Sequence, residues 1–163
     1  MKNPLKVATP AGEPVIRMSR TFDAPRKLVW EAMTEARHMA HWWGPHGYVN
    51  DVTEFDVRPG GKWRIVQVDP KGRRFVFHGE FKEVVAPERL VWTFGMEGMF
   101  DGRMATDEIT LTEVDGKTLY EAVSRFDTVA DRDGMVTDGM EWGANQSMER
   151  LDALLAEMAS RST

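Results

Sequence analysis

The spacing of apolar residues divides this chain into a strand, a helical stretch, a long run of strands and a terminal helix. Val15-Ile16-Arg17-Met18-Ser19-Arg20-Thr21 reads as the first strand. Residues 1–14 before it are polar and dotted with Pro and Gly, and read as a flexible leader. Phe22-Asp23-Ala24-Pro25 opens a helix, with Asp23 placed to accept hydrogen bonds from free N–H groups and Pro25 suited to a first turn. Leu28, Val29, Ala32 and Met33 give that helix an apolar face. A short second helix covers Ala36 to Trp42 and stops at Gly44-Pro45.

From Tyr48 the period becomes two. Strands are predicted at Val52–Val57, Trp63–Val68, Phe75–Val85, Leu90–Met96, Thr106–Glu113 and Lys117–Arg125. Turn residues separate them, among them Arg58-Pro59-Gly60-Gly61, Asp69-Pro70-Lys71-Gly72 and Val114-Asp115-Gly116. Connections this short join antiparallel neighbours. The helical period returns with Met140, Ala144, Met148, Leu151, Leu155 and Met158. It predicts one helix of about 25 residues from Asp133 to Met158. The whole is an α+β pattern in one domain over residues 15–160: a curved antiparallel sheet of about seven strands, gripping the last helix.

The Asp115-Gly116 turn also sets which residues face inward. As a two-residue loop it pairs Leu111 with Tyr120, Ile109 with Ala122 and Asp107 with Ser124. Cross-strand partners share a face, and this set is more apolar than the competing one with Thr110, Thr112, Glu108 and Glu121. Asp107, Tyr120 and Ser124 are then polar groups in an apolar concavity; alternatively, Asp107 and Ser124 lie at the sheet edge near solvent. Trp63 with Ile65, Phe75 with Phe77, and Leu90, Trp92, Phe94 and Met96 are further inward sets. Gly139 and Gly143 leave one face of the last helix bare, which allows close packing or open space. The loop Gly95–Met104, with Met96, Met99, Phe100 and Met104, is a candidate lid or partner surface.

Composition narrows the function classes. The net charge of −5 argues against a nucleic-acid surface. No stretch approaches the ~18 apolar residues of a membrane span, and no signal peptide is evident, so a cytoplasmic location is expected. There is no Cys, which excludes disulfides and thiolate chemistry. Six Trp, eight Phe and eleven Met are the materials of an apolar pocket or of a core. His38 and His41 have helical spacing for a metal pair, but nothing supplies a third ligand, so no metal and no cofactor are expected and these histidines read as exposed. Asp56 and Arg58 share a strand face and read as a structural pair. There is no nucleophile elbow and no phosphate-binding Gly loop.

Four stretches carry a family resemblance. They are Arg20-Thr21-Phe22-Asp23-Ala24-Pro25 followed by Val29-Trp30; Trp42-Trp43-Gly44-Pro45; Asp56-Val57-Arg58-Pro59-Gly60-Gly61-Lys62-Trp63; and Gly139, Gly143 and Ser147 leading to Arg150-Leu151. In this order they resemble the SRPBCC superfamily, which includes START-type lipid-transfer domains and birch-pollen-allergen-type proteins. Within it they resemble the subfamily named after the activator of the ninety-kilodalton heat-shock-protein ATPase. The resemblance implies a helix-grip fold. It leaves function open, because the superfamily spans carriers, receptors, cyclases, oxygenase subunits and a co-chaperone domain.

Three functions fit these features. The simplest is binding or transport of a small apolar or aromatic ligand between sheet and helix. Its candidate wall is Trp42, Trp43, Trp63, Phe77, Trp92, Phe94, Met96, Asp107, Ile109, Tyr120, Met140 and Gly143. The second is an enzyme of cyclase or isomerase type in the same cavity, with Asp107, Tyr120 or Glu121 as acid or base. The third, implied by the resemblance, is a chaperone-interacting module. It is weakened because the eukaryotic co-chaperone carries an additional N-terminal domain. A homodimer through the apolar loop is an open alternative.

Overall fold

Among the described residues, eight antiparallel strands form one curved sheet. The computed structural model describes residues 3–137 and 139–161. The strands are β1 (Lys6–Ala8), β2 (Val15–Phe22), β3 (Val49–Phe55), β4 (Lys62–Val68), β5 (Arg74–Val85), β6 (Arg89–Met96), β7 (Ala105–Val114) and β8 (Lys117–Arg125), and they lie side by side in the order β1-β2-β8-β7-β6-β5-β4-β3. Helices α1 (Arg26–Thr34) and α2 (Ala36–Trp42) connect β2 to β3, and α3 (Val129–Thr137) and α4 (Met140–Arg161) follow β8. Among the described residues, no helix is long and apolar enough to cross a membrane.

The meander follows the two-residue period. Asp115 and Gly116 both adopt positive φ, 53° and 77°, as a tight hairpin turn matched to strand twist requires. The register that follows is Asp107 opposite Ser124, Ile109 opposite Ala122 and Leu111 opposite Tyr120. The same face extends across β2, where Ile16 pairs with Ser124 and Met18 with Ala122. On the other side, Trp92 pairs with Asp107 and Leu90 with Ile109.

The second half of α4 seals one end of this face. Leu151, Leu154, Leu155 and Met158 are buried there, with Phe22, Val29 and Leu111 in the same core. Arg20 on β2 locks the helix in place. Its side chain is 1% exposed and makes a two-pronged contact with Asp152, at 2.8 and 2.6 Å.

Several elements depart from the sequence reading. The stretch read as a flexible leader contains edge strand β1, and Leu5 is buried in the core, so the sheet has eight strands rather than about seven. Three strand residues are too few to show a period. The strand expected at Val52–Val57 occupies Val49–Phe55, because a bulge between Val52 and Glu54 shifts the alternation. The single helix expected from Asp133 is two helices. Gly139 at φ 83° breaks it, a backbone conformation glycine adopts without strain. Asp23 does not cap α1. Pro25 holds the cap position, while Glu113 of β7 accepts the Arg26 N–H at 2.9 Å. His38, read as exposed, is buried, and that burial pushes its pKa down and favours the neutral ring.

Candidate functional site

The first half of α4 leaves the concave face of the sheet uncovered. Between them lies a cavity of about 290 Å³, close to the lower bound of about 300 Å³ typical of small-molecule sites. Met140, Gly143, Ala144 and Met148 of α4 form its roof. Of the sequence-derived candidates, Trp42, Trp43, Phe77, Trp92, Phe94, Asp107, Ile109, Tyr120, Met140 and Gly143 lie around it. Trp63 and Met96 do not. Trp63 sits behind the wall, stacked on Trp92 at 4.3 Å with its indole N–H donating to the Thr93 carbonyl. Met96 lies at the end of β6, opposite Phe77. Glu121 pairs with Thr110 and Ser19, outside the inward set, and is exposed.

The wall is aromatic and tightly ordered. Trp43 meets Phe77 edge-on at 4.7 Å, and Phe77 meets Phe94 at 5.7 Å. Gly143 is open toward this space: a Cβ there would touch only the Pro45 ring, at 3.7 Å. The backbone at Gly143 thus leaves room for a Cβ.

Polar groups form one row across the floor. Asp107 sits between its cross-strand partners, Trp92 and Ser124. The Trp92 indole N–H donates to Oδ2 at 2.8 Å and the Ser124 hydroxyl to Oδ1 at 2.6 Å. Burial raises the Asp107 pKa, and these two donors only partly oppose it. Burial, with the charge of Asp107, also raises the Tyr120 phenol, which stays neutral. Among the described residues, the Tyr120 hydroxyl has no hydrogen-bond partner, and no Lys, Arg or His lines the cavity.

The raised Asp107 pKa links to stability with a definite sign. The folded state holds this proton more tightly than the unfolded chain does. The contribution is therefore full below the ordinary carboxylate range, about pH 4, and is lost as pH rises through the folded pKa. Asp107→Asn keeps the acceptor for Trp92 and cannot ionise. Its melting temperature should exceed the parent's at pH 8, and the gap should close toward pH 4. Thermal melts at pH 4, 6 and 8 check this; a gap independent of pH would contradict it.

The corner Trp42–Pro45 forms the cavity's lip, and α4 holds it. Gly143 passes beneath Pro45. Four residues on, the Ser147 hydroxyl accepts the Gly44 N–H at 2.6 Å. Arg150 donates to the carbonyls of Trp43, Gly44 and Pro45, at 3.4, 3.1 and 3.0 Å. Gly44 has φ 92°, and a Cβ there would lie 2.1 Å from Gln67 Nε2, so only glycine fits. Two of the stretches that carry the family resemblance are thus one physical unit.

The family model described as "Activator of Hsp90 ATPase homolog 1-like protein" matches residues 23–156. The chain belongs to this family. No curated protein matches the sequence. Solved structures of the same fold include a protein from Arthrobacter aurescens, 24% identical with a TM-score of 0.86, covering 93% of this chain and 91% of that one. A protein from Nitrosomonas europaea is 26% identical over 93% of this chain and 99% of its own, with a TM-score of 0.79. An AHSA1 protein from Silicibacter pomeroyi is 23% identical over 88% and 99%, with a TM-score of 0.73.

In this member of the activator-like family, the third resembling stretch is a turn. Arg58 pairs with Asp56 at 2.8 Å, both exposed, and a Cβ on Gly61 would overlap the Asp56 carbonyl. The loop after β6 is tied to α3 by the two-pronged contact of Arg103 with Asp131. Sequence reasoning missed Ile16 and Met18 of β2, Met33 and Met39 of the first two helices, and Phe126 and Met135 beyond β8. Continuing the hairpin register one strand further would have found Ile16 and Met18. Met33 belongs to the apolar face of the first helix, but its period does not say what that face meets; Met39, Phe126 and Met135 come from separate elements with no shared pattern.

Proposed function

We propose that this protein binds and carries a small apolar or aromatic molecule between the sheet and the first half of α4. One observation supports this most: an aromatic-walled cavity of about 290 Å³ whose floor carries Trp92, Asp107 and Ser124 in one polar row with Tyr120 nearby, while its other polar side chains, Gln67 and Ser147, are engaged by the Trp43–Gly44 backbone. Apolar walls supply affinity, and a few fixed polar groups orient the guest. The helix-grip fold of the activator-like family is compatible with such a role but does not select it.

Gly143→Leu tests the reading. The new side chain replaces a helix-interior glycine, worth about 0.5–1 kcal/mol; its Cβ would meet only the Pro45 ring, at an ordinary 3.7 Å, on the wall of the cavity. The variant should be at least as stable as the parent in urea. It should bind the neutral naphthalene dye prodan at least about tenfold more weakly, a change of about 1.4 kcal/mol. Lower stability with undiminished dye binding would contradict the placement of the guest.

A further inference from the structure

We propose that the guest carries a basic nitrogen, and that its ammonium group is held by the Asp107 carboxylate within the aromatic wall. This rests on the cavity being a binding site, as proposed above, and names the class of molecule it takes.

Asp107 is a buried acid without a cation. Buried carboxylates are normally paired, yet no Lys, Arg or His lines this cavity among the described residues. Arg20, the buried guanidinium nearest in register to Tyr120, is committed to Asp152. The geometry around Asp107 suits its ionised form to a cationic guest. The Trp92 indole can only donate, so Oδ2 must accept. Oδ1 lies 2.6 Å from the Ser124 hydroxyl. In the neutral acid, one proton lies between Oδ1 and Ser124, and the pair offers a guest a hydroxyl donor but no negative charge. In the carboxylate, both oxygens accept and keep lone pairs for a further donor.

The surroundings suit a cation as well. Trp92, Trp43 and Phe94 present aromatic rings to the same space, and aromatic faces attract ammonium groups. The proton balance closes without any co-reactant. An ammonium that enters while Asp107 is protonated releases one proton to solvent and leaves an ammonium–carboxylate pair. Asp107 and Tyr120 are the titratable groups of the lining, and Tyr120 stays neutral, so the released proton comes from Asp107.

Three probes of one shape decide the matter: tryptamine, which is cationic at pH 8; uncharged 3-ethylindole; and anionic indole-3-propionate. Calorimetric titration at pH 8 should show tryptamine binding at least tenfold more tightly than 3-ethylindole, with indole-3-propionate weakest. Asp107→Asn should erase the preference for tryptamine while leaving 3-ethylindole bound. In the parent protein, lowering the pH to 5 should weaken tryptamine and leave 3-ethylindole unchanged. The comparison of probes on the parent needs no variant, so a poorly folded Asp107→Asn does not block it. If 3-ethylindole binds as well as tryptamine, or better, the amine inference is overturned and the carrier reading stands. If none of the three binds, both are overturned.

Discussion

Asp152→Ala should destabilise the protein by about 2–3 kcal/mol, although Asp152 is itself 41% exposed. The reason is what it leaves behind. The Arg20 side chain is 1% exposed, between β2 and α4, and it also donates to the backbone carbonyls of Asn3 and Met148. Removing the carboxylate strands a desolvated guanidinium. Breaking a fully buried pair this way costs about 3–5 kcal/mol; Asp152 is 41% exposed, so water recovers part of the loss. Replacing both partners, as Arg20→Met with Asp152→Leu, should cost markedly less than Asp152→Ala alone, because no buried charge remains. Urea denaturation of the three variants measures this. A double variant no more stable than Asp152→Ala would contradict it.

Trp63→Ala should cost about 3–5 kcal/mol and also weaken guest binding, although Trp63 does not touch the cavity. It is 1% exposed and supports the wall from behind, stacked on Trp92 and edge-on to Trp43 at 6.0 Å. Space for it is made by Gly79, where a Cβ would lie 2.5 Å from the indole nitrogen and 1.8 Å from the Thr93 carbonyl oxygen. Truncation leaves a void under Trp92, which in turn orients Asp107. It also leaves the Thr93 carbonyl without the indole donor. Denaturation and prodan titration together check this. Unchanged dye affinity, despite the stability loss, would show that Trp92 does not depend on the indole behind it.

The floor of the cavity was legible because one turn dictates it. Asp115-Gly116 favours a two-residue hairpin, a hairpin fixes the register, and the register puts Asp107, Ile109 and Tyr120 on one face. The family resemblance carried the topology further than periodicity could. The roof was harder to read. Gly139 fits the helical spacing as well as it fits a break, and only its positive φ distinguishes the two. The bulge in β3 and the brevity of β1 hide from a period-two pattern for the same reason: alternation needs an unbroken run to be seen. Trp63 and Met96 were placed on the correct strands. Facing inward did not bring them to the cavity, because the inward face of a curved sheet is partly filled by its own aromatic side chains. Arg150 and Ser147 hold the Trp42–Pro45 corner, about a hundred residues away in sequence, a contact that no local pattern reports.

The six tryptophans provide the most direct test that a guest enters this cavity. Trp42, Trp43 and Trp92 line it; Trp30, Trp63 and Trp142 do not, and Trp142 is 57% exposed. Each indole N–H gives a separate signal in a nitrogen-15 correlation spectrum. On titration with 3-ethylindole, the signals of Trp92 and Trp43 should move most and saturate together, while those of Trp30 and Trp142 stay fixed. Shifts confined to Trp142 and Trp30, or no shifts at all, would contradict the account.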